Sequence, residues 1–253
     1  PRSWYLEAVS RLKRCQLIQH QLDPCLFCAY TATGELCGML ALHVDDMLLT
    51  GDATQFAAYE ASIKKSFEFR TWKTLSKNKY LEYCGARITR RDCGTLDVDF
   101  DNYLSKVKPI TLRPDARDDR RADATETRQL RGLLGALQWP ATQGAPHLAC
   151  SVSMLQGLVS TATAKDLREA NRLLRFAKTH RALTMSFPHY QDCQIRDLGF
   201  ISLSDAAWAT RADGSSQGGY LTCVVPKQAF NNHAVNYGIL DCRSFQLQRI
   251  ARS

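Results

Sequence analysis

Two adjacent carboxylates, Asp45 and Asp46, interrupt an apolar stretch of the chain between Leu36–Leu42 and Met47–Leu49. Apolar runs of this length are typical of buried strands, so the acidic pair is predicted to lie at the tip of a β-hairpin. Neighbouring carboxylates repel each other unless a cation lies between them, and Mg²⁺ prefers such oxygen ligands, which it combines with water and substrate phosphates. A divalent pair held in this way activates the 3′-hydroxyl in polymerases. Ordinary turn chemistry, in which Asp bonds its own backbone, is the alternative for these two residues.

Composition limits the classes of protein to which the chain can belong. Its 253 residues can form one large domain or two smaller ones, and an apolar content of 45% suffices for ordinary cores. The sequence contains no run of about eighteen apolar residues and no basic-then-apolar start. These absences predict an intracellular protein that is neither secreted nor membrane-spanning. A net charge of +8 and a pI of about 9.0 favour polyanionic partners such as nucleic acid.

Residues 1–110 show the pattern of an α+β structure, in which few helices pack on short antiparallel strands. Apolar residues recur at helical spacing near 4–15 and 53–66. Apolar runs bounded by turn residues predict strands near 25–30, 36–42, 82–89 and 95–100. This pattern fits the palm of a polymerase, and it equally fits any α+β sandwich of similar size.

A segment dense in charges of both signs, residues 111–125, is predicted to be a linker because it has almost no apolar surface to bury. Residues 126–181 then show helical periodicity. Three helices are predicted here: Glu126 to Trp139, ending at Pro140; residues 146–160; and residues 163–179, with Thr163 as the N-cap.

The third of these helices carries basic side chains at steps of three and four residues, which place them on one face: Arg168, Arg172, Arg175, Lys178 and Arg181. Such a face can contact the phosphates of a nucleic-acid duplex without reading its sequence. It can equally be a solvated helix surface that has no partner. The residues alone leave both interpretations open.

Residues 182–253 are predicted to form a series of strands. These lie near 183–187, 195–204 and 219–225 and, in pieces, over 234–249. Asp205 is predicted to end the second of these strands. Asp in that place is commonly a turn former.

Short motifs follow one another along the chain: Pro1-Arg2-Ser3-Trp4, Asp23-Pro24-Cys25-Leu26-Phe27, His43-Val44-Asp45-Asp46-Met47, Tyr83-Cys84-Gly85-Ala86, Leu130–Trp139, Ser204–Ala209 and Gly214–Tyr220. In this order they resemble the reverse transcriptase of copia-type retrotransposons, which continues into ribonuclease H. The resemblance runs essentially from end to end. It implies a partial palm with an antiparallel sheet over 1–110, a linker over 111–125, a helical thumb and connection over 126–181, and the start of a ribonuclease H-like domain over 182–253.

The resemblance also implies roles for individual residues. Asp45 and Asp46 would hold Mg²⁺ (or Mn²⁺) for RNA-directed DNA synthesis, and Asp205 would be the first metal ligand of ribonuclease H. The strand Tyr83-Cys84-Gly85 would position the primer end, and the basic helix would grip the duplex. The implied partners are an RNA/DNA template-primer, deoxynucleoside triphosphates and the rest of the polyprotein.

The same resemblance implies that neither active site is complete within these 253 residues. A further Asp of the polymerase site would lie before Pro1, and the Glu-bearing segment of ribonuclease H would begin just after Ser253. Cys84 and Ala207 also depart from the family pattern, in which Leu and Asp are usual. One alternative is therefore a catalytically inactive remnant that at most binds nucleic acid through its basic helical face. Another is an unrelated α+β interaction protein in which the motifs occur by chance.

Overall fold

The computed structural model describes residues 2–114, 116–180, 184–190, 193–231 and 233–247. In these residues the chain forms six α-helices and three antiparallel sheets, so the predicted α+β class is confirmed. The chain divides into two compact units, the first Pro1–Thr74 and the second Leu75–Ser253. None of the described helices combines the length and the apolar composition that crossing a membrane requires.

The first unit is a four-stranded antiparallel sheet, in chain order, with two helices. Its elements are α1 (Arg2–Arg14), β1 (Ile18–Gln19), β2 (Leu26–Tyr30), β3 (Leu36–His43), β4 (Asp46–Gly51) and α2 (Ala57–Ser66). The predictions for α1, β2 and β3 are confirmed closely. The second helix begins at Ala57 rather than near 53, because the Asp52 carboxylate accepts hydrogen bonds from the N–H groups of Thr54 and Gln55. These bonds hold a turn just before the helix.

Apolar side chains at helical spacing fix both helices to this sheet. Ala8 and Leu12 of α1 are fully buried, as is Ile63 of α2. Phe27 of β2 and Leu40 of β3 are fully buried in the same core. Burial of one such large side chain contributes about 1.5–3 kcal/mol. The hairpin of β3 and β4 therefore stands on a well-packed base.

In its described residues, the second unit contains two antiparallel sheets and four α-helices. Its elements are β5 (Tyr80–Tyr83), β6 (Ala86–Arg90), β7 (Leu96–Asp99), α3 (Asp101–Lys106), α4 (Ala124–Gln143), α5 (Ala149–Leu158), α6 (Ala164–Thr179), β8 (Met185–Phe187), β9 (Leu198–Ala207), β10 (Gln217–Pro226) and β11 (Gly238–Gln246). The strand orders are β5-β6-β7-β8 and β11-β10-β9. Because β8 pairs with β7, the chain returns to the first of these sheets after the long helices.

Three helices of the second unit, α4, α5 and α6, lie close to predicted positions, whereas α3 is not among the predicted helices. α6 begins after Thr163, whose N–H and hydroxyl both donate to the Asp166 carboxylate at 2.8 Å, so the predicted N-cap is confirmed. The prediction that the preceding long helix ends at Pro140 is wrong, because α4 continues to Gln143. Pro140 and Ala141 are buried in the core. This burial offsets the cost of the helix hydrogen bond that is missing because proline has no N–H.

Candidate functional site

The hairpin of β3 and β4 presents the two adjacent carboxylates at its tip. The strands pair without interruption up to His43, which lies opposite Asp46. The connecting turn is Val44-Asp45, so Asp45 lies in the turn and Asp46 begins β4. Both acidic residues are exposed to solvent. The structure thus places the acidic pair at a hairpin tip, where the apolar runs predict it.

One aromatic ring supports this hairpin at its base. Gly38 of β3 and Gly51 of β4 lie opposite each other, and the ring of Phe56 packs against both. A Cβ atom at Gly38 would lie 2.2 Å from the Phe56 ring, and one at Gly51 would lie 2.6 Å from it. None of these three residues is among the predicted site residues. The signal that could have indicated them is a glycine inside a strand pattern, which marks a close approach to the backbone.

The acidic pair has the donor chemistry of a Mg²⁺ site with few protein ligands. Mg²⁺ commonly binds through one or two carboxylates and completes its octahedron with water and substrate phosphates. Asp45 and Asp46 supply this number of carboxylates on an exposed tip, so the donor set fits the ion. Across the residues that the structure describes, no three His, Cys, Asp or Glu side chains are grouped so that they could hold a metal ion.

The predicted primer-positioning residues, Tyr83, Cys84 and Gly85, lie in the second unit and do not form one strand. Cys84 and Gly85 have φ angles of 51° and 80° and form the turn between β5 and β6, so the strand predicted over 82–89 is wrong. Two consecutive positive φ angles are typical of tight hairpin turns and cannot continue a strand. The indole N–H of Trp139 donates to the Cys84 carbonyl at 3.0 Å and holds this turn.

Asp205 lies inside a strand rather than at its end. β9 continues to Ala207, because Ala206 and Ala207 still pair with Gly218 and Gln217 of β10. Asp205 is exposed, and its carboxylate accepts a hydrogen bond from the N–H of Ala206 at 2.8 Å. The predicted strand end is therefore wrong, while the role of Asp205 as a metal ligand stays a prediction.

The predicted basic face of α6 is only partly open to solvent. Arg168 donates to the carboxylate of Asp118 and to the carbonyl of Ala116. Lys178 donates to the carbonyl of Val107 at 2.7 Å. Both side chains tie the segment before α4 to α6, so a phosphate could engage them only by displacing these contacts.

Two further arginines of this face lie on its exposed part. Arg172 lies 3.0 Å from the carboxylate of Glu169, and Arg175 is exposed. Exposed ion pairs of this kind are weak, so Arg172 can exchange its partner easily. Arg181 lies outside the described residues. Among the described members of the face, Arg172 and Arg175 are the best placed to contact phosphates.

The sequence is similar to that of a protein from Saccharomyces cerevisiae described as a putative transposon Ty5-1 protein. The two are 21% identical over 201 residues, which cover 74% of this chain and 63% of the yeast protein. The chain thus spans less than two thirds of the length of that relative. No protein-family model and no solved structure matches the chain.

Proposed function

We propose that the chain is part of a retrotransposon RNA-directed DNA polymerase in which Asp45 and Asp46 hold Mg²⁺ or Mn²⁺. The observation that carries the proposal is the pair of exposed, adjacent carboxylates at the tip of a hairpin whose base is packed in a core. The similarity to a protein described as a transposon protein supports the retrotransposon origin in this proposal. The order of the sequence motifs supports it as well.

Each set of site residues has a part in this function. A bound divalent cation would activate the primer 3′-hydroxyl and neutralise charge on the triphosphate. Asp45 and Asp46 would supply its oxygen ligands on a rigid support, and the turn Tyr83-Cys84-Gly85 would contact the primer end. Asp205 would belong to a ribonuclease H-like site for the RNA strand of a hybrid. The proposed partners are a template-primer, deoxynucleoside triphosphates and the rest of the polyprotein.

Binding of Mn²⁺, followed by electron paramagnetic resonance, tests the acidic pair. The double variant Asp45→Asn/Asp46→Asn is expected to bind Mn²⁺ at least about tenfold more weakly, because it removes both anionic ligands. Asp118→Asn/Asp119→Asn is the matched control, since these two adjacent carboxylates already pair with arginines. Unchanged binding in the first variant contradicts the proposal. Primer extension on an RNA template that survives Asp45→Asn would contradict the catalytic role.

A second candidate function is that of a catalytically inactive remnant that binds nucleic acid. The exposed positions of Arg172 and Arg175 favour it, because phosphate contacts from one helix need no metal site. The two candidates differ in one observable. The remnant binds a duplex without extending a primer, whereas the polymerase does both once the remaining parts of the polyprotein are supplied.

Replacing Arg172 and Arg175 together with alanine is expected to weaken binding of an RNA/DNA duplex. The slope of log affinity against log salt should fall by about two, one for each lost phosphate contact. Fluorescence anisotropy with a labelled duplex at several salt concentrations measures the slope. Arg168→Ala is the control, because it removes an internal contact and is expected to cost up to about 1 kcal/mol of stability while leaving the slope unchanged. Equal slopes in the wild type, the double variant and Arg168→Ala would contradict phosphate contacts by Arg172 and Arg175.

A further inference from the structure

The first helix makes a direct contact with the turn that presents the acidic pair. Trp4, near the start of α1, donates its indole N–H to the carbonyl of Val44 at 2.8 Å. Its ring lies edge-on to that of Phe67, with 6.3 Å between the ring centroids. α1 itself is fixed to the core through Ala8 and Leu12. The donor therefore comes from an element that is held in place independently of the turn.

Val44 needs such a contact because its backbone is strained. Its φ angle is 54°, in the left-handed region that a β-branched residue rarely adopts. The carbonyl that accepts the hydrogen bond belongs to the planar peptide group that also contains the nitrogen of Asp45. A hydrogen bond to this carbonyl therefore fixes the peptide plane, and with it the direction in which the chain enters Asp45 and Asp46.

We propose that Trp4 is a positioning residue for the acidic pair: it holds the strained Val44 turn in the conformation that presents Asp45 and Asp46 together to a divalent cation. The expected effect of Trp4 on metal binding rests on the proposed metal site, whereas its expected effect on the conformation of the turn does not. Trp4→Phe keeps an aromatic ring against Phe67 and removes the N–H donor, so it isolates the hydrogen bond.

The second unit offers a matched control for this variant. Trp139 donates its indole N–H to the carbonyl of Cys84 at 3.0 Å, and the φ angle of Cys84 is also positive. Trp139→Phe therefore makes the same chemical change at a turn that carries no acidic pair. Val44→Gly is a further variant, because glycine adopts a positive φ angle without strain.

Amide ¹H–¹⁵N spectra of the full chain test the turn without any metal. Trp4→Phe is expected to shift the amide signals of residues 43–46 and to leave those of residues 83–86 in place. Trp139→Phe is expected to do the reverse. If the signals of 43–46 stay in place in Trp4→Phe, the inference is overturned whatever the metal affinity is.

Mn²⁺ affinity then tests the consequence for the acidic pair. Trp4→Phe is expected to weaken Mn²⁺ binding about tenfold, because the loss of a group that orients a metal ligand typically lowers metal affinity by at least this much. Trp139→Phe is expected to leave Mn²⁺ binding unchanged. In a Val44→Gly background, Trp4→Phe should lower the Mn²⁺ affinity by less than about twofold, because the unstrained turn no longer depends on the indole. No loss, or an equal loss in both backgrounds, overturns the inference while the metal site stands. If the wild-type chain binds Mn²⁺ no better than the Asp45→Asn/Asp46→Asn variant, there is no metal site at the acidic pair. Trp4 then has no positioning role toward a metal, even if the amide shifts are observed.

Discussion

Replacing Gly38 with alanine is expected to lower the stability of the first unit by about 3 kcal/mol, because the new methyl group has no room. Its carbon would lie 2.2 Å from the ring of Phe56. That ring is 4% exposed and stacks on Tyr59, with 5.8 Å between the centroids, so it cannot swing away without opening the core. Gly51→Ala is expected to act in the same direction, since its Cβ would lie 2.6 Å from the same ring.

Hydrogen exchange at the amides of β3 and β4 measures this loss in the first unit alone. Gly132→Ala is the control, because a Cβ there meets nothing within 4 Å and alanine should stabilise the exposed side of α4 by about 0.5–1 kcal/mol. Phe56→Leu in the Gly38→Ala background should recover part of the loss, since the smaller side chain leaves space for the methyl group. A Gly38→Ala protein as stable as the wild type would contradict the close packing of ring and hairpin.

The elements around the acidic pair could be predicted from the sequence because their signals are local. β2 and β3 are apolar runs bounded by turn residues, and α6 has both a periodic apolar face and the N-cap Thr163. The tip of the hairpin follows from the same local patterns, since two consecutive apolar runs with a short polar interruption pair most simply with each other.

The sequence does not specify what packs against an element. The spacing of Arg168 and Lys178 places both on one face of a helix, yet only the fold shows that the segment before α4 engages them. The charged segment 111–125 is a similar case, because the N–H of Ala164 donates to the carbonyl of Arg120 at 2.8 Å and joins the segment to the start of α6. Pairing over such distances along the chain leaves no periodic pattern from which it could be predicted.

Turn conformation also escaped prediction at two positions whose residue types do not favour it, although a usual turn residue, Asp45 or Gly85, follows each of them. Val44 and Cys84 adopt positive φ angles although neither residue type favours them. In each case a tryptophan from a helix, Trp4 or Trp139, donates to the carbonyl of the strained residue. The strand pattern therefore continued across Cys84 in the prediction, whereas a distant side chain stabilises a turn there in the fold.

In the second unit, Glu126→Gln is expected to lower the stability by about 3 kcal/mol. Glu126 is 4% exposed, and its carboxylate accepts hydrogen bonds from both terminal nitrogens of Arg120, at 2.9 and 2.6 Å. The N–H of Asp123 donates to the same carboxylate at 3.0 Å, which caps the start of α4. The substitution keeps the shape of the side chain but leaves the partly buried guanidinium without its counter-charge.

This stabilisation is expected to disappear in acid. The hydrogen bonds from Arg120 hold the pKa of Glu126 below its ordinary value, to which the carboxylate returns in the unfolded chain. A group whose pKa is lowered by folding stabilises the protein above the unfolded pKa and loses this contribution as the pH falls through the folded pKa. The difference in unfolding free energy between the wild type and Glu126→Gln should therefore be full at pH 7 and shrink steadily below about pH 4.

Urea unfolding of both proteins at about pH 7 and about pH 3 measures this difference, and the subtraction removes the other carboxylates, which titrate in both. Glu169→Gln is the control, because Glu169 is exposed and its ion pair with Arg172 should contribute less than about 0.5 kcal/mol at either pH. A difference that is the same at both pH values would assign the loss to the geometry of the cap rather than to the charge of Glu126, because only the charge titrates.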